Sequence, residues 1–207
     1  VFGSTYKIRY RIKNRSTSEL AIEIEGQNDK NIRFALSAAR TLAPGETVIV
    51  EGDFELDSVR EEQNDKKTHP VVLSKWIIGG KRAEFRIGVA PKFPLKMKIA
   101  LPHRELYLGL PSELYLNVEN NFAAEAEFSF DLPEDEFLMW ADRTVSFTVP
   151  AKSKASIQVP FTLKSYGLYS QAIEVTAVPV GEKAVTFISK LSVLMKGTHG
   201  RFGGENG

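Results

Sequence analysis

The stretch TLAPGETVIVEGDFEL, residues 41–56, decides the fold class of this chain. After a turn at Pro44 and Gly45, apolar side chains recur at alternate positions: Val48, Val50, Phe54 and Leu56. Polar side chains hold most of the positions between them: Thr47, Glu51, Asp53 and Glu55. Alternation with a period of two is typical of a β-strand that has one buried and one solvated face. The stretch therefore predicts a long strand that starts at a proline–glycine turn.

The same alternation runs through the rest of the sequence, and helical periodicity is almost absent. Strands are predicted near 5–14, 19–25, 31–37, 46–56, 71–78, 82–90, 95–101, 104–108, 113–120, 124–130, 143–149, 154–163, 170–178 and 184–196. The helix candidates are two short segments, 57–63 (DSVREEQ) and 134–140 (EDEFLMW). The sequence therefore predicts an all-β chain.

An internal repeat sets the number of domains. The strand that ends at Asn14 (YRIKN) returns as the strand that ends at Asn120 (LNVEN), and Pro44 returns as Pro150, both at an offset of 106 residues. At the same offset, Phe85, Ile87 and Val89 match Leu191, Val193 and Met195. After the proline turns the offset grows by one, so that Val48, Val50, Phe54 and Leu56 match Ala155, Ile157, Phe161 and Leu163. We therefore predict two tandem immunoglobulin-like (fibronectin III-like) β-sandwiches.

The predicted domains are residues 1–92, a sandwich expected to lack its first strand, and residues 93–197, a complete sandwich, followed by a flexible glycine-rich tail at 198–207. The linker is placed at VAPKFPLK, residues 89–96, because two prolines stiffen it and interrupt strand pairing. Domain 2 has the long stretch PLKMKIALPHRELYLGLP before its first repeat-matched strand, whereas domain 1 has only VFGST. We therefore expect a missing or upstream leading strand in domain 1 and a larger parent protein.

Composition argues against several classes of partner. The 207 residues include 27 Lys and Arg against 26 Asp and Glu, so no overall field draws the chain to nucleic acid. The absence of cysteine removes disulfides, thiolate metal sites and cysteine nucleophiles. No apolar run is long enough to span a bilayer, so this segment is not expected to insert into a membrane. Its first residues lack the pattern of a signal peptide, so a mature or excised segment is expected.

Three features occur twice in the same order. They are a strand that ends in asparagine with Ile or Val two residues before it, a proline turn, and a long alternating strand. They read RIKN (11–14) with LAPGETVIV (42–50), and NVEN (117–120) with VPAKSKASI (149–157). The pattern resembles the Ig-like accessory sandwiches of prokaryotic surface and secreted proteins, namely the CARDB-type domains and the NEW3 domains associated with alpha-galactosidases. The resemblance implies a non-catalytic spacer, adhesion or accessory role, and it transfers no catalytic residue. Residues 151–154 depart from the pattern because they lack the glycine and glutamate of the turn.

The segment KIRYRIKNR, residues 7–15, predicts a strand with a basic outer face. That face carries four cations: Lys7, Arg9, Arg11 and Lys13. Such a row is able to hold a phosphate chain or an acidic glycan, with Arg9 and Arg11 as the contacts. Ion pairing is the favoured interpretation, because the next strand presents three carboxylates on its outer face: Glu19, Glu23 and Glu25. In a hairpin these carboxylates would lie among the cations.

No motif for catalysis, a metal or a cofactor is found in the sequence. The three histidines are far apart and lie beside turns or in the tail: His69, His103 and His199. No G-x-S-x-G nucleophile elbow is present. Two acidic segments, EEQNDKK (61–67) and DLPEDEF (131–137), carry oxygen ligands suited to calcium, but solvated turns are favoured because the alternating pattern of a dedicated calcium loop is missing. We therefore predict no catalytic residue, no cofactor and no metal ligand.

Trp76 and Trp140 are the candidates for stacking on a sugar ring. Trp76 lies in the apolar run VVLSKWII and Trp140 ends FLMW, so buried packing is favoured for both. Trp140 is the better ligand candidate, because polar residues follow it at once. Asn14 also begins a formal glycosylation sequon, Asn-Arg-Ser.

The sequence thus favours a non-catalytic structural or interaction module, a spacer or an adhesion domain, of a larger secreted or cell-surface protein. Its expected partners are other domains of the parent chain or another surface protein. The alternative is a carbohydrate-binding or accessory domain of a glycoside hydrolase or other secreted hydrolase, with Trp140 in the binding platform. A third interpretation is the non-catalytic part of an enzyme whose active site lies beyond Gly207.

Overall fold

A computed structural model gives the fold of the chain and describes residues 1, 3–29, 31–57, 69–102 and 106–196. The chain divides into two compact units, unit 1 from Val1 to Phe93 and unit 2 from Pro94 onwards. The boundary expected from the sequence, between residues 92 and 93, lies one residue before this division. The described residues contain no helix, and so none that is long and apolar enough to cross a membrane.

Unit 1 contains seven strands in its described residues. They are β1 (Thr5–Lys13), β2 (Leu20–Gln27), β3 (Ile32–Ala35), β4 (Ser37–Leu42), β5 (Thr47–Leu56), β6 (Val71–Ile78) and β7 (Lys81–Gly88). One antiparallel sheet has the order β1–β5–β3 and the other β4–β2–β6–β7. Their inner faces bury Ile22, Phe34, Leu56 and Trp76. Unit 1 is therefore an Ig-like β-sandwich, in which alternation along each strand directs one set of side chains into the core.

Unit 2 contains eight strands in its described residues. They are β8 (Leu95–Ala100), β9 (Pro111–Asn120), β10 (Ala126–Asp131), β11 (Leu138–Trp140), β12 (Thr144–Val149), β13 (Lys154–Leu163), β14 (Gly167–Pro179) and β15 (Val185–Met195). The two sheets have the orders β11–β13–β9–β8 and β12–β10–β14–β15. Leu116, Phe128, Phe161 and Tyr169 are among the side chains buried between them. Unit 2 is a second Ig-like β-sandwich.

The predicted all-β architecture is confirmed, and most strands lie within a few residues of their predicted positions. The sequence pattern misses β4 and β11, which are a short polar strand and a three-residue strand. The helix predicted at 134–140 is wrong, because its last three residues form β11 and pair with β13. The strand predicted at 104–108 is wrong at residues 106–108, which lie in a loop. Residues 103–105 are outside the described part of the chain. Residues 58–63 of the other helix candidate are also outside it.

Strand pairing allows the two units to be compared residue by residue. Ile12 pairs with Val48 in unit 1, and Val118 pairs with Ala155 in unit 2, as the repeat predicts. The predicted match of Pro44 with Pro150 is wrong, however, because the offset is already 107 at the turn and Pro150 occupies the position of Ala43. The structural equivalent of Gly45 is therefore Lys152. Both residues have a positive φ, of 79° and 54°, which glycine adopts more readily than lysine.

The predicted match of the last strands also changes. Lys81 and Val185 occupy equivalent positions in the two final hairpins, so the offset there is 104 residues rather than 106. Ile87 is consequently the equivalent of Leu191, and the match of Phe85 with Leu191 is wrong. The connection between β5 and β6 is longer than the connection between β13 and β14, which lowers the offset to 99 at Ile78 and Ala177. The turn between β6 and β7 is shorter than the turn between β14 and β15, which raises the offset again to 104.

Asn14 and Asn120 fix the turns of the two units in the same way. Both side chains are fully buried. The Nδ2 group of Asn14 donates to the carbonyls of Ser18, Leu42 and Ala43, at 2.8, 2.9 and 3.2 Å. That of Asn120 donates to the equivalent carbonyls of Ala124, Val149 and Pro150, at 3.0, 2.9 and 3.1 Å. Each asparagine therefore connects the end of one strand to a turn and to the end of a strand in the opposite sheet.

The units differ at one edge. In unit 2, β8 pairs with β9 along its length and also contacts β15 of the opposite sheet. In unit 1, β1 is the equivalent of β9, and no described residue pairs with its outer edge. Among the residues that the structure describes, none covers unit 1 at the place where β8 closes unit 2.

We predict that Asn120→Ala destabilises unit 2 by about 2–4 kcal/mol, because the substitution leaves buried carbonyls without their donor. Urea unfolding followed by the fluorescence of Trp140, in proteins that carry Trp76→Phe, measures the change. Asn117→Ala is the matched control, since Asn117 lies on the same strand but is exposed. Equal unfolding midpoints for the two alanine variants would contradict the role assigned to Asn120.

Candidate functional site

Strand β1 forms one edge of its sheet and carries the basic residues singled out in the sequence. It pairs with β5 in the register Lys7–Asp53, Arg9–Glu51 and Arg11–Ile49. The predicted hairpin of β1 with β2 is wrong, because β2 belongs to the other sheet and pairs with β4 and β6. The carboxylates that lie among the cations therefore come from β5, which follows much later in the chain.

Glu51 is the main acidic partner of this basic face. Its Oε1 accepts a hydrogen bond from Arg9 Nε at 2.5 Å, and its Oε2 lies 3.5 Å from Lys7 Nζ. The hydrogen bond from Arg9, supported by the charges of both cations, holds the pKa of the Glu51 carboxyl below its usual value. The Arg9 end of the row is thus neutralised in part, in agreement with the pairing interpretation.

The other end of the row has no such partner on β5. Arg11 lies opposite Ile49, and Lys13 lies opposite Thr47. Ile49 itself is exposed on this outer face. The basic face therefore divides into a paired half at Lys7 and Arg9 and a half at Arg11 and Lys13 with no carboxylate opposite on β5.

The inner face of β1 is covered less well than the equivalent face of unit 2. Ile8, Tyr10 and Ile12 are half-buried. Their equivalents on β9 are fully buried, and Leu116, the equivalent of Tyr10, is 1% exposed. The difference follows from strand β8, which covers β9 on the side that stays open in unit 1.

Apolar side chains of β7 face the same opening. Phe85 and Ile87 pair with the buried residues Ser74 and Val72, so they belong to the inner face of their sheet. They are nevertheless 46% and 41% exposed. We call the surface formed by the edge of β1 and the inner face of β7 the open side of unit 1.

Trp76 connects the two sheets beneath the open side. Its ring lies 5.2 Å from that of Tyr10 on β1 and 4.9 Å from that of Phe85 on β7, between ring centroids. Its Nε1 donates to Ser74 Oγ at 2.8 Å, and the Tyr10 hydroxyl lies 3.2 Å from the same oxygen. Trp76 is buried, as expected, and its ring forms the floor of the open side.

Trp140 does not form a sugar platform in this structure. Its side chain is 8% exposed and packs edge-on against Tyr169 at 5.5 Å between ring centroids. Its Nε1 donates to the carbonyl of Pro133 at 3.0 Å. Both the ring face and the polar atom are used inside unit 2, because Trp140 is the last residue of β11 and points into the core. The favoured expectation of burial is confirmed, and the candidate ligand contact is withdrawn.

Exposed aromatic rings do occur at one end of unit 2, where the sequence analysis did not place them. Tyr107 is 57% exposed and Tyr166 is 42% exposed. The Tyr166 hydroxyl donates to the carbonyl of Leu106 at 3.0 Å, which holds the two loops together. Leu108 and Leu110 are also exposed there. The segment LYLGLP indicates this exposed surface in the sequence, because its apolar residues flank a turn and do not alternate as they would in a strand.

The acidic segment 131–137 uses most of its carboxylates within unit 2. Asp131 accepts from Thr144 Oγ1, and Glu134 pairs with Arg143 at 3.1 Å. Asp135 accepts from the backbone N–H of Phe137 and from Gln171. The described residues hold no group of three His, Cys, Asp or Glu side chains able to bind a metal ion. His103, His199, the acidic segment 61–67 and the tail 198–207 lie outside the described residues.

The sequon asparagine is a structural residue. The side chain of Asn14 is fully buried, and its Nδ2, the atom that a glycan would modify, donates to backbone carbonyls. The folded unit 1 therefore does not present this sequon to solvent.

Comparisons with known proteins add little beyond the fold. No family model matches the sequence, and no curated protein sequence matches it. A red sea bream transglutaminase structure aligns with 95% of this chain, which spans 30% of the length of that protein, at 12% identity and a TM-score of 0.37. The ASH / PapD-like domain of human CEP192 (PapD-like domain 7) aligns over 54% of this chain and 94% of its own length, at 17% identity and a TM-score of 0.33. Similarities of this size carry no argument about activity or partners.

We predict a pH effect at Tyr169, whose hydroxyl is buried and has no hydrogen-bond partner among the described residues. Burial, with a contribution from the charge of Asp135, raises the pKa of Tyr169 to about 12. Between pH 10 and pH 12 the unfolded chain therefore loses this proton and the folded chain keeps it, so that stability falls as pH rises. Urea unfolding as a function of pH should show a smaller decline in Tyr169→Phe. The decline should persist in Tyr107→Phe, and an unchanged decline in Tyr169→Phe would contradict the assignment.

Proposed function

We propose that the chain is a non-catalytic interaction module of a larger secreted or cell-surface protein, in which the two sandwiches act as a spacer or an adhesion segment. Unit 1 contacts a polypeptide partner through its open side. The role is the one implied by the resemblance to CARDB-type and NEW3-type accessory sandwiches, whose pattern occurs in both units. The partner is another surface protein or another domain of the parent chain.

The observation that carries the proposal is the exposure of inner-face side chains on the open side. Phe85 and Ile87 lie on the face that a sandwich normally buries, yet both are more than 40% exposed. Apolar surface of this kind, next to polar and charged groups, is typical of a protein contact. The basic row beside it adds charge specificity to apolar contact area.

The described side chains also favour a role without catalysis. Of the four carboxylates in the acidic segment 131–137, Asp131, Glu134 and Asp135 are held by neighbouring side chains of unit 2. The described histidine, His69, lies beside a strand start and outside any cluster of metal-binding side chains that the described residues form.

Panning of a phage-displayed peptide library on the immobilised chain tests this proposal. We expect enriched peptides whose affinity falls about tenfold or more in the double variant Phe85→Ser plus Ile87→Ser, because buried apolar anchors dominate binding energy. Tyr107→Ser, an equally exposed site in unit 2, is the matched control and should keep the affinity. If every enriched peptide binds the double variant as well as the parent protein, and both proteins are equally stable in urea, the open side is not the binding surface.

A carbohydrate-binding function is the second candidate, and the exposed rings of Tyr107 and Tyr166 favour it. Sugar rings stack on exposed aromatic faces, and both tyrosines are exposed whereas Trp140 is buried. Their loops are joined by the hydrogen bond from Tyr166 to Leu106, which keeps the two rings at the same end of unit 2.

A glycan array measures this second candidate. Specific binding should be lost in Tyr107→Ala and retained in Trp140→Phe, which alters a buried ring and leaves the exposed rings in place. A blank array with folded protein would remove the carbohydrate-binding candidate and leave the polypeptide partner.

A further inference from the structure

We propose that the outer edge of β1 binds an extended strand of a partner protein, antiparallel to β1, in which apolar residues alternate with Asp or Glu. The proposal rests on the proposed function and defines its partner more closely. It assigns to unit 1, through a strand supplied from outside, the place that β8 fills in unit 2.

The backbone of β1 has groups on its outer edge that pair with no strand formed by the described residues. The Asn14 N–H donates to the Glu46 carbonyl at 2.9 Å, and the Asn14 carbonyl accepts from the Gly45 N–H at 3.0 Å, so residue 14 bonds towards β5. Backbone groups alternate in direction along an antiparallel strand. Those of Arg9 and Arg11 therefore point away from β5, where no described strand lies. An incoming strand finds a ladder of donors and acceptors there.

Unit 2 shows how such a strand fits. β8 pairs antiparallel with β9, which is the equivalent of β1, and the Asn121 N–H donates to the Pro94 carbonyl at 2.9 Å at the start of this ladder. On β8, Leu95 is buried and Lys96 and Lys98 are exposed, so apolar and charged residues alternate. The same alternation in a strand bound to β1 would place its apolar residues over the half-buried inner face.

The inner face of the open side is suited to apolar residues. In unit 2, Ile99 and Met97 of β8 pair with the equivalents of Tyr10 and Ile12. A strand bound to β1 would place its apolar residues opposite Tyr10 and Ile12 in the same way. Phe85 and Ile87 approach from the opposite sheet, as β15 approaches β8 in unit 2. A bound strand would cover all four side chains and bring Tyr10, Ile12 and Ile87 to the burial that their equivalents Leu116, Val118 and Leu191 have in unit 2.

The outer face of β1 favours acidic residues in the bound strand. In unit 2, Lys96 of β8 lies directly opposite Glu119 of β9, so opposite charges meet across this ladder. On β1 the outward charges are reversed, with Arg11 and Lys13 at the end that has no carboxylate opposite on β5. Glutamate or aspartate in the bound strand supplies that charge. The same argument excludes a second copy of the chain paired through β1, because cations would then lie opposite cations.

The test uses the whole chain with Trp140→Phe, so that Trp76, beneath the open side, is the fluorescent reporter. The ligand is a blocked synthetic peptide of about eight residues that alternates valine with glutamate. We expect a saturable change in Trp76 fluorescence, weaker binding at high salt, and little binding of the peptide in which lysine replaces glutamate. N-methylation of the amides on one edge of the peptide should abolish binding, because the ladder needs those donors.

Charge reversal identifies the surface. Arg11→Glu plus Lys13→Glu should weaken the glutamate peptide about tenfold and strengthen the lysine peptide, since only the sign of the cross-strand charges changes. Circular dichroism checks the fold of this variant. The matched control is Lys96→Glu plus Lys98→Glu in unit 2, which should bind the glutamate peptide as the parent protein does.

Three results would overturn the proposal. The first is equal binding of the glutamate and lysine peptides. The second is slow hydrogen exchange at the amides of Arg9 and Arg11 in the free chain, which would mean that its own residues already occupy the edge. The third is a failure of the alternating peptide to bind while library peptides that depend on Phe85 do bind, in which case the proposed function stands and the strand partner does not. If no peptide of either kind binds, both proposals fail.

Discussion

The carboxamide of a buried asparagine is the contact on which both sandwiches depend. In each unit it lies at the end of the first of the two long paired strands and donates to three carbonyls, one in the following turn and two where the chain enters the next turn. Buried carbonyls without donors are costly, and a single side chain satisfies three of them at once. The contact joins the ends of β1 and β9 to the ends of β4 and β12, which belong to the opposite sheets.

The two units show what one edge strand does in an otherwise shared architecture. β8 covers the edge of β9 and contacts β15, and Leu114, Leu116 and Val118 on the inner face of β9 are buried. Unit 1 has the same arrangement of sheets without that strand among its described residues, and its inner face stays partly exposed on β1 and β7. Phe85 and Ile87 both lie on the inner face of their sheet, and the equivalent of Ile87 in unit 2, Leu191, is a core residue. A surface formed in this way is suited to bind the apolar side chains of an added strand.

Charge is nearly balanced over the whole chain, with 27 basic and 26 acidic residues, yet it is unevenly placed on β1. Arg9 and Lys7 share Glu51, and Arg11 and Lys13 face uncharged neighbours on β5. Exposed ion pairs contribute little to stability, so the paired half is a weak structural element. The half formed by Arg11 and Lys13 is better suited to select a partner strand and to disfavour pairing between the β1 edges of two chains.

The sequence by itself determined that this protein is built of β-strands, roughly where most of them lie, and that the pattern is repeated. Period-two alternation is a local property, and in segments such as 47–56 it reflects the burial of one strand face directly. Alternation does not show which strands pair with each other, so the hairpin of β1 with β2 that the sequence suggested is wrong. It also fails for short strands such as Leu138–Trp140, where three residues carry no period. Tertiary structure alone decided that Asn14 binds backbone carbonyls and that the described strands leave one side of unit 1 open, because each depends on residues distant in the chain that only the packed sheets bring together.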